Sequence, residues 1–480
     1  MKMRRDKLIF AALGGLLLFL VTKEAITIPL THDEGNTIYC STTPFWDIVT
    51  YKDPVPNNHI LNTLLIKADT AIFGQSLFIA RLHNVLSFIP FFIFTVLLAY
   101  GLVRDFWVRM ALVLMVTAQP YMLDFFAVTR GYGLSVSFEM ISLYYLLRQL
   151  QEPNTRNLVA TLGFAAIGVY ANFTLLNYYL PLSAILMIHS WMVHDRGDKK
   201  LFAKNVITVT GIGAALFLVI IVPVKKMVAT KQFVFWGTTG FLSDTASPLI
   251  VSLRSAVDYF KASNEEIFTY VTGFFVVMIA MGVYLLSRRK ERTPAMWFFI
   301  LPAAVLLYNH LQFYLLDVPF LNARTALFLV PLACIPMAIS LDLLLKLWSR
   351  FGFVLLLAVN FLLIQHFVRG QKVTGTFEWY YDVNTYDVLD VVKEMTESGH
   401  APRPSRINCY WIFYPSVSYH TDHQYKDNLV MAPWGTKIED DTESTFYYTE
   451  RGELDKLRDK FDIIKEYSQG ERVLLKRKNP

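Results

Sequence analysis

The sequence predicts a polytopic α-helical membrane protein with a small soluble α/β domain at its C-terminal end. Three observations predict it. About eleven apolar blocks approach or reach the length needed to cross roughly 30 Å of hydrocarbon as helices. Threaded in order, those blocks leave most loop cations on one side. After residue 369 charge becomes dense and apolar runs become short. With 54% hydrophobic residues, only 18% charged and a mean hydropathy of +0.37, a soluble multidomain protein is excluded. The 37 Phe, 25 Tyr and nine Trp suit wide aromatic belts. Net charge is +6, its placement says more than its sum, and no nucleic-acid partner is expected. Cys40, Cys334 and Cys409 form no C-x-x-C pair and no even-numbered framework, so neither a disulfide scaffold nor a cysteine metal site is indicated.

Residues 1–7 carry Lys2, Arg4, Arg5 and Lys7, and 8–22 are apolar. No small-x-small cleavage site precedes the polar stretch 31–36, so this is read as a retained first helix rather than a signal peptide. Further apolar blocks fall at 78–101, 107–124, 132–147, 158–173, 175–193, 205–224, 267–287, 296–315, 323–345 and 351–368. With the N-terminus cytoplasmic, the inner loops hold Arg104, Arg109, Arg148, Arg156, Arg196, Lys199, Lys200, Arg288, Arg289, Lys290, Arg292, Lys346 and Arg350, as the positive-inside rule requires. The expected location is a cell membrane, in the first instance a bacterial inner membrane.

This threading leaves 23–77, 224–266 and everything after 369 outside. The chain therefore divides into a transmembrane domain, 1–369, and an extracytoplasmic α/β domain, 370–480. In the tail, 386–398 and 452–460 read as helices, 406–413 and 428–432 as strands, and 462–467 with 472–476 as a closing strand pair. It has no glycine-rich phosphate loop and no catalytic signature, so no chemistry is assigned to it.

The first outer loop reads Thr31-His32-Asp33-Glu34-Gly35-Asn36, two adjacent carboxylates directly after the first membrane helix. One reading is a capping box, Thr31 capping a helix and Glu34 reaching back to it. The other is a carboxylate pair with chemistry to do, and both can hold together. Pro54-Val55-Pro56-Asn57-Asn58-His59 follows, then 60–73, where Ile60, Leu61, Leu64, Leu65, Ala68, Ala71 and Ile72 share one helical face opposite Asn62, Lys67 and Asp69. That pattern predicts an amphipathic helix lying in the interface. His59 at its start reads as a cap or a solvated residue, or as part of a site.

This order of elements, ending in Phe73-Gly74-Gln75-Ser76-Leu77-Phe78-Ile79-Ala80-Arg81-Leu82, resembles the GT-C superfamily of membrane glycosyltransferases, and within it the protein O-mannosyltransferase and aminoarabinose-transferase branch. The family commonly has a His-Pro-Pro turn and an Arg-Leu-Pro. Here the turn is Asn57-Asn58-His59, and His83 follows Arg81-Leu82, the marks of a divergent member. Gln119-Pro120-Tyr121 through Thr129-Arg130-Gly131-Tyr132 is similar to the family's Arg-containing outer turn. Pro319-Phe320-Leu321-Asn322-Ala323-Arg324 is similar to its late Arg-containing segment near the lipid-phosphate site. The resemblance covers 1–135 and, more loosely, 300–335.

The resemblance implies transfer of a sugar from a polyprenyl-phosphate carrier to a lipid, glycan or protein acceptor at the outer face, with inversion. The transition state is oxocarbenium-like, and the acceptor needs a base. Asp33 is the candidate base, and Glu34 would orient the site, the acceptor or a divalent metal ion. Arg130 and Arg324 are candidates for the departing lipid phosphate, with Tyr132 beside them and Lys225 at the start of the second outer loop. Asp124 is a candidate partner for Arg130, and His59 a candidate acceptor or site-shaping residue. Asp33, Glu34 and His59 could furnish metal ligands, but their spacing is no metal signature. Each has a plainer reading. Arginines at helix ends snorkel to headgroups, and Lys225, Lys226 and Lys231 can bind anionic lipid. The stretch Phe235-Trp236-Gly237-Thr238-Thr239-Gly240 is either a lid or a structured connector. Phe377-Glu378-Trp379-Tyr380-Tyr381-Asp382 reads as an aromatic anchor.

Two other functions stay open. A transporter or lipid flippase would place charges mid-membrane and show inverted repeats, whereas here charges gather at boundaries and no repeat is visible. A non-catalytic envelope assembly protein would leave Asp33 and Glu34 without a role.

Overall fold

The structure, a computed structural model, describes residues 2–194, 199–232, 237–258, 261–288, 294–437, 441–467 and 471–478. Arg196, Phe235, Trp236, Arg289, Lys290 and Arg292 lie outside the described residues. The chain divides into two compact units, one of Met1–Thr22 with Thr43–Gln371, the other of Lys23–Thr42 with Lys372–Pro480.

The first unit is helical. A helix, or a broken pair, stands at each of the eleven apolar blocks: α1 (Lys2–Thr27), α5 (Leu77–Leu102), α6 (Phe106–Thr117) with α7 (Pro120–Ala127), α8 (Gly131–Gln151), α9 (Thr155–Ala171), α10 (Leu176–His194), α11 (Lys199–Ala229), α13 (Asn264–Ser287), α14 (Trp297–Leu316), α15 (Leu329–Leu347) and α16 (Ser349–Gly370). Short helices α3 (Phe45–Val49), α4 (Ile60–Phe73) and α12 (Ser247–Arg254) lie between them. Seven helices among the described residues are long and apolar enough to cross a membrane, with an eighth span if α6 and α7, bent by 54° at their junction, count as one. This is a multi-pass membrane protein. Among the described residues, length and hydropathy thus support seven or eight spans and do not confirm the expected eleven.

The shortfall has a physical cause. Helix α8 is buried along most of its length by its neighbours α5 and α9, so it meets protein rather than lipid and tolerates polar residues. Ser137 Oγ donates to the Ser87 carbonyl of α5 at 2.9 Å, and Ser142 Oγ donates to the Thr161 carbonyl of α9 at 2.8 Å. One ionisable group breaks the expectation that charge stays at boundaries. Arg81, near the start of α5, and Glu139, in the middle of α8, are fully buried, and neither carboxyl oxygen of Glu139 has a hydrogen-bond partner among the described residues.

Helix α4 forms over the expected residues, between the His59 turn and Gly74, whose φ of +94° suits glycine. Its expected apolar face is split, with Ile60 buried and Leu61, Leu64 and Leu65 half-buried. Ile72 and Phe73 are exposed, whereas Asn62, Thr63 and Ile66 are buried against the bundle. Asn62 on the buried face is bonded, while Thr63 Oγ1 has no hydrogen-bond partner among the described residues. His83 receives or donates bonds at 2.8 Å to Asp69 Oδ2 and 2.9 Å to Asn62 Oδ1, and Asn84 Nδ2 donates to the same Asn62 oxygen at 2.8 Å.

The second unit joins α2 (His32–Thr42) to the C-terminal residues. Its five-stranded sheet has the order β2 (Leu429–Met431), β1 (Ser405–Cys409), β3 (Phe446–Glu450), β5 (Arg472–Arg477), β4 (Phe461–Tyr467). The β1 strand runs parallel to both β2 and β3, and β5 runs antiparallel to β3 and β4. Helices α17 (Thr385–Glu397) and α18 (Tyr414–Gln424) contribute Val388, Leu389, Val392 and Val417 to a core with Ile407, Phe413, Leu429, Phe446 and Leu474. The expected helix at 386–398, the strand at 428–432 and the closing pair are present, while the strand expected at 406–413 ends at Cys409 and turns toward α18. Residues 452–460 form a 3₁₀ turn, Arg451–Lys456, rather than an α-helix. Both α18 and β3 fall where no element was expected. Trp379, expected at the headgroups, is 1% exposed, so only Tyr380 of that aromatic run points clearly outward.

Candidate functional site

In the first unit an open cleft of about 120 Å³ gathers residues from five separate stretches: the turn before α4, the turn before α8, the α9–α10 junction, the end of α11, and the segment before α15. Arg130, Tyr132, His59 and Arg324 all line it, and among the described residues no Asp or Glu does. Three of its lining residues, Tyr51, Ile60 and Met227, belong to a small buried apolar cluster with Ile48.

Each charged or aromatic member is placed by local structure. Arg130 ends an extended turn between α7 and α8 and is 2% exposed. Its Nη1 donates to the Asn57 carbonyl at 3.5 Å, and its guanidinium carbon sits 5.9 Å from the Tyr132 ring centroid. The turn is held from below, since Asn62 Nδ2 of α4 donates to the Thr129 carbonyl at 3.2 Å. Gly131 is required there. A Cβ would lie 2.0 Å from the Ala171 carbonyl oxygen and 2.9 Å from His59, so no side chain fits without backbone movement.

His59 occupies the N-cap position of α4, yet its side chain makes no capping bond. The ring is 8% exposed and packs edge-on to Tyr132, centroids 5.1 Å apart, so neither the capping nor the solvated reading describes it. Arg324 lies in a single 3₁₀ turn, Ala323–Ala326, capped by Asn322 and Thr325, whose Oγ1 accepts from the Asn322 N–H at 2.8 Å. The loop after α11 buttresses this segment. Gly237 pairs with Phe320 through a 2.8 Å bond, and its missing Cβ would stand 2.4 Å from the Phe320 carbonyl oxygen. Thr245 Oγ1 donates to the Leu321 carbonyl, while the Thr239 and Gly240 N–H groups both bond Asp244 Oδ2 at 2.6 and 2.7 Å. The described part of this loop is therefore built structure of the connector kind.

Two expected residues do not line the cleft. Lys225 is exposed on α11, although Met227 and Gln232 from the same stretch reach it. Asp124 is buried in α7. Sequence reasoning missed Tyr51, Asn57, Tyr170, Asn172, Thr174 and Thr325, whose meeting depends on helix packing that no local pattern reports.

Asp33 and Glu34 belong to the second unit, in the first turn of α2. Half of the capping box is present. Glu34 Oε2 accepts from the Thr31 N–H at 2.9 Å, while Thr31 Oγ1 has no hydrogen-bond partner among the described residues. Glu34 is fully buried and Asp33 is 9% exposed. Within the same unit the His32 N–H donates to Asp382 Oδ2 at 2.8 Å, the Leu30 N–H donates to His420 Nε2 at 2.9 Å, and His32 Nδ1 lies 2.7 Å from the Ile412 carbonyl oxygen. Burial pushes the Asp382 carboxyl well above the ordinary aspartate range. The Asp33 and Glu34 charges push the same way, against the His32 bond and the Arg472 guanidinium. Neither Asp382 nor His420 was singled out from sequence. Among the described residues, no group of three or more His, Cys, Asp or Glu is arranged to hold a metal ion.

No protein-family model matches this chain, and no curated protein matches it by sequence. Solved structures do match it in fold. ArnT from Cupriavidus metallidurans bound to undecaprenyl phosphate aligns over 98% of this chain and 97% of its own, with a TM-score of 0.53 and 12% identity. The apo state of that protein aligns over 99% and 98%, with a TM-score of 0.51 and 11% identity. A looser likeness, TM-score 0.44 at 12% identity, covers 91% of this chain and 68% of the Archaeoglobus fulgidus oligosaccharyltransferase. The ArnT alignments span both chains nearly end to end, and they show that this chain shares the fold of that protein.

Proposed function

We propose that this protein is a glycosyltransferase that takes a sugar from a polyprenyl-phosphate carrier and passes it to a lipid, glycan or protein acceptor at the outer face of the membrane. One observation carries the reading. Two arginines remote in sequence, Arg130 and Arg324, line one cleft that no carboxylate among the described residues lines. Such a site favours an anion, and a guanidinium grips phosphate in a bidentate way. That the same fold is seen in ArnT bound to undecaprenyl phosphate supports a lipid-borne phosphate as the anion.

In this reaction the acceptor oxygen or nitrogen forms a bond to the anomeric carbon as the bond from that carbon to the carrier phosphate breaks. The bonding pair leaves with the phosphate, and the acceptor proton passes to a base. Arg130 and Arg324 stabilise the charge that grows on the leaving phosphate. His59 and Tyr132, packed ring to ring, shape the cleft wall beside them. Asp33 is the proposed base, with inversion at the sugar. Glu34, which closes the first turn of its own helix, holds the pair in place rather than taking the proton. The cation distribution supports a cytoplasmic N-terminus and an extracytoplasmic C-terminal domain.

The test is mass spectrometry of envelope glycans and lipid-linked sugars from cells with and without the gene, complemented by wild type and by Asp33→Asn. The proposal expects one sugar modification to vanish, its lipid-linked donor to accumulate, and Asp33→Asn to leave both defects uncorrected. Full restoration by Asp33→Asn removes the base assignment, and unchanged glycans remove the function.

A further inference from the structure

The segment bearing the acidic pair follows the first membrane helix in sequence but belongs to the C-terminal unit in space. Three polar contacts fasten it there: His32 N–H to Asp382, Leu30 N–H to His420, and the His32 ring to the Ile412 carbonyl. The His32 ring is also framed edge-on by Trp411 and Tyr381, centroids 5.7 and 6.5 Å away. Asp382 and His420 are 1% and 0% exposed, and Asp382 Oδ1 has no hydrogen-bond partner among the described residues. A fully buried carboxyl with one oxygen bonded to a backbone N–H and the other unsatisfied costs stability relative to an apolar residue of the same shape. Its presence calls for a task that an apolar residue cannot do, and the bond it makes defines that task.

We infer that Asp382, assisted by His420, is a positioning residue that fixes the N-terminal turn of α2 and so sets the direction of the Asp33 carboxyl. The C-terminal residues thereby take part in placing the proposed base. This inference rests on the proposed function for its catalytic consequence, but the clamp can be tested without any sugar transfer. Asp382 accepts from an N–H that precedes Asp33 by one residue, so losing it frees the turn on which Asp33 stands. The amide oxygen of Asn can accept the same bond, whereas the methyl of Ala cannot.

Cys40, buried on the same helix at 7% exposure, reports whether α2 is docked. In full-length protein with Cys334→Ser and Cys409→Ser, maleimide labelling of Cys40 is followed in Asp382→Ala, Asp382→Asn and His420→Ala. The clamp expects labelling about tenfold faster in the two Ala variants, the effect of losing one buried bond on local opening. Asp382→Asn should label as slowly as its parent. In transfer assays Asp382→Ala should lower kcat about tenfold or more while the KM for the lipid-linked donor holds, with Asn restoring most of the rate. Unchanged Cys40 labelling in both Ala variants overturns the clamp, whatever the activity. Faster labelling with a wild-type kcat overturns the positioning role. An Asp33→Asn protein of full activity would defeat the transferase reading instead, and the labelling result would stand apart from it.

Discussion

The backbone N–H of His32 donates to Oδ2 of Asp382 at 2.8 Å, tying the residue next to Asp33 to a buried carboxyl of the C-terminal domain. Asp33, Glu34, Arg472, Cys409 and Tyr448 all act electrostatically on that carboxyl or are acted on by it, and burial dominates the balance. Its folded pKa is raised above the unfolded value. The stability it contributes is therefore fully present in acid, below the ordinary aspartate value, and is lost as pH rises through the raised value. We expect thermal stability to decline across that window with a slope of up to about 1.4 kcal/mol per pH unit for this one proton. Asp382→Asn should flatten the decline, as melting curves at a series of pH values would show. An identical slope in both proteins would assign the pH dependence elsewhere.

Arg130 and Arg324 should differ from Lys in kind. Each Arg→Ala change is expected to reduce transfer by about 100-fold or more, in the range found when one donor to a developing charge is removed. Arg→Lys should recover only part, since a point charge cannot grip phosphate with two parallel bonds. Steady-state rates with a lipid-linked donor check this. Full activity in Arg130→Lys would mean that charge alone suffices there.

Gly131→Ala places a methyl 2.0 Å from the Ala171 carbonyl oxygen and against His59. The backbone must move, at a cost of about 1–3 kcal/mol, and the turn carrying Arg130 moves with it. A lower melting temperature together with weaker donor binding is the expected result. A variant that melts and binds like wild type would show that the turn yields freely.

Glu139 offers a test between enzyme and transporter. Its carboxyl oxygens have no hydrogen-bond partner among the described residues, and it does not line the cleft. Glu139→Leu should raise stability, by roughly 1–3 kcal/mol for removing a buried unsatisfied group, and leave sugar transfer intact. Loss of function in a well-folded Glu139→Leu protein would instead support a mid-membrane charge that moves cargo.

What was legible in the sequence follows from which forces act locally. Helix α4 was placed to the residue because its turn and its Gly74 stop are local signals. Its exposed Ile72 and Phe73 fit a lipid-facing side, and the buried Asn62 became intelligible only once His83 and Asn84 were seen against it. The hydropathy of α8 misleads because burial by other helices relaxes the need for apolar residues, which a window average cannot register. Helix α18 is rich in Tyr, Ser and His with no apolar stripe, and its packing through Val417 and His420 supplies what its pattern lacks. At the site, Arg130 and Arg324 stood out only through resemblance, since either alone reads as a snorkelling residue. Asp382 stayed hidden in an aromatic run because burial and a single backbone contact, not spacing, give it meaning.

The central claim is that the cleft receives the phosphate of a polyprenyl carrier. Binding of polyprenyl phosphate to the purified protein, measured beside the uncharged polyprenol and repeated with Arg130→Ala/Arg324→Ala, tests it most directly. The account predicts that the phosphate form binds well above the alcohol and that the double variant loses that preference. Equal binding of phosphate and alcohol, or a preference untouched by removing both arginines, would contradict it.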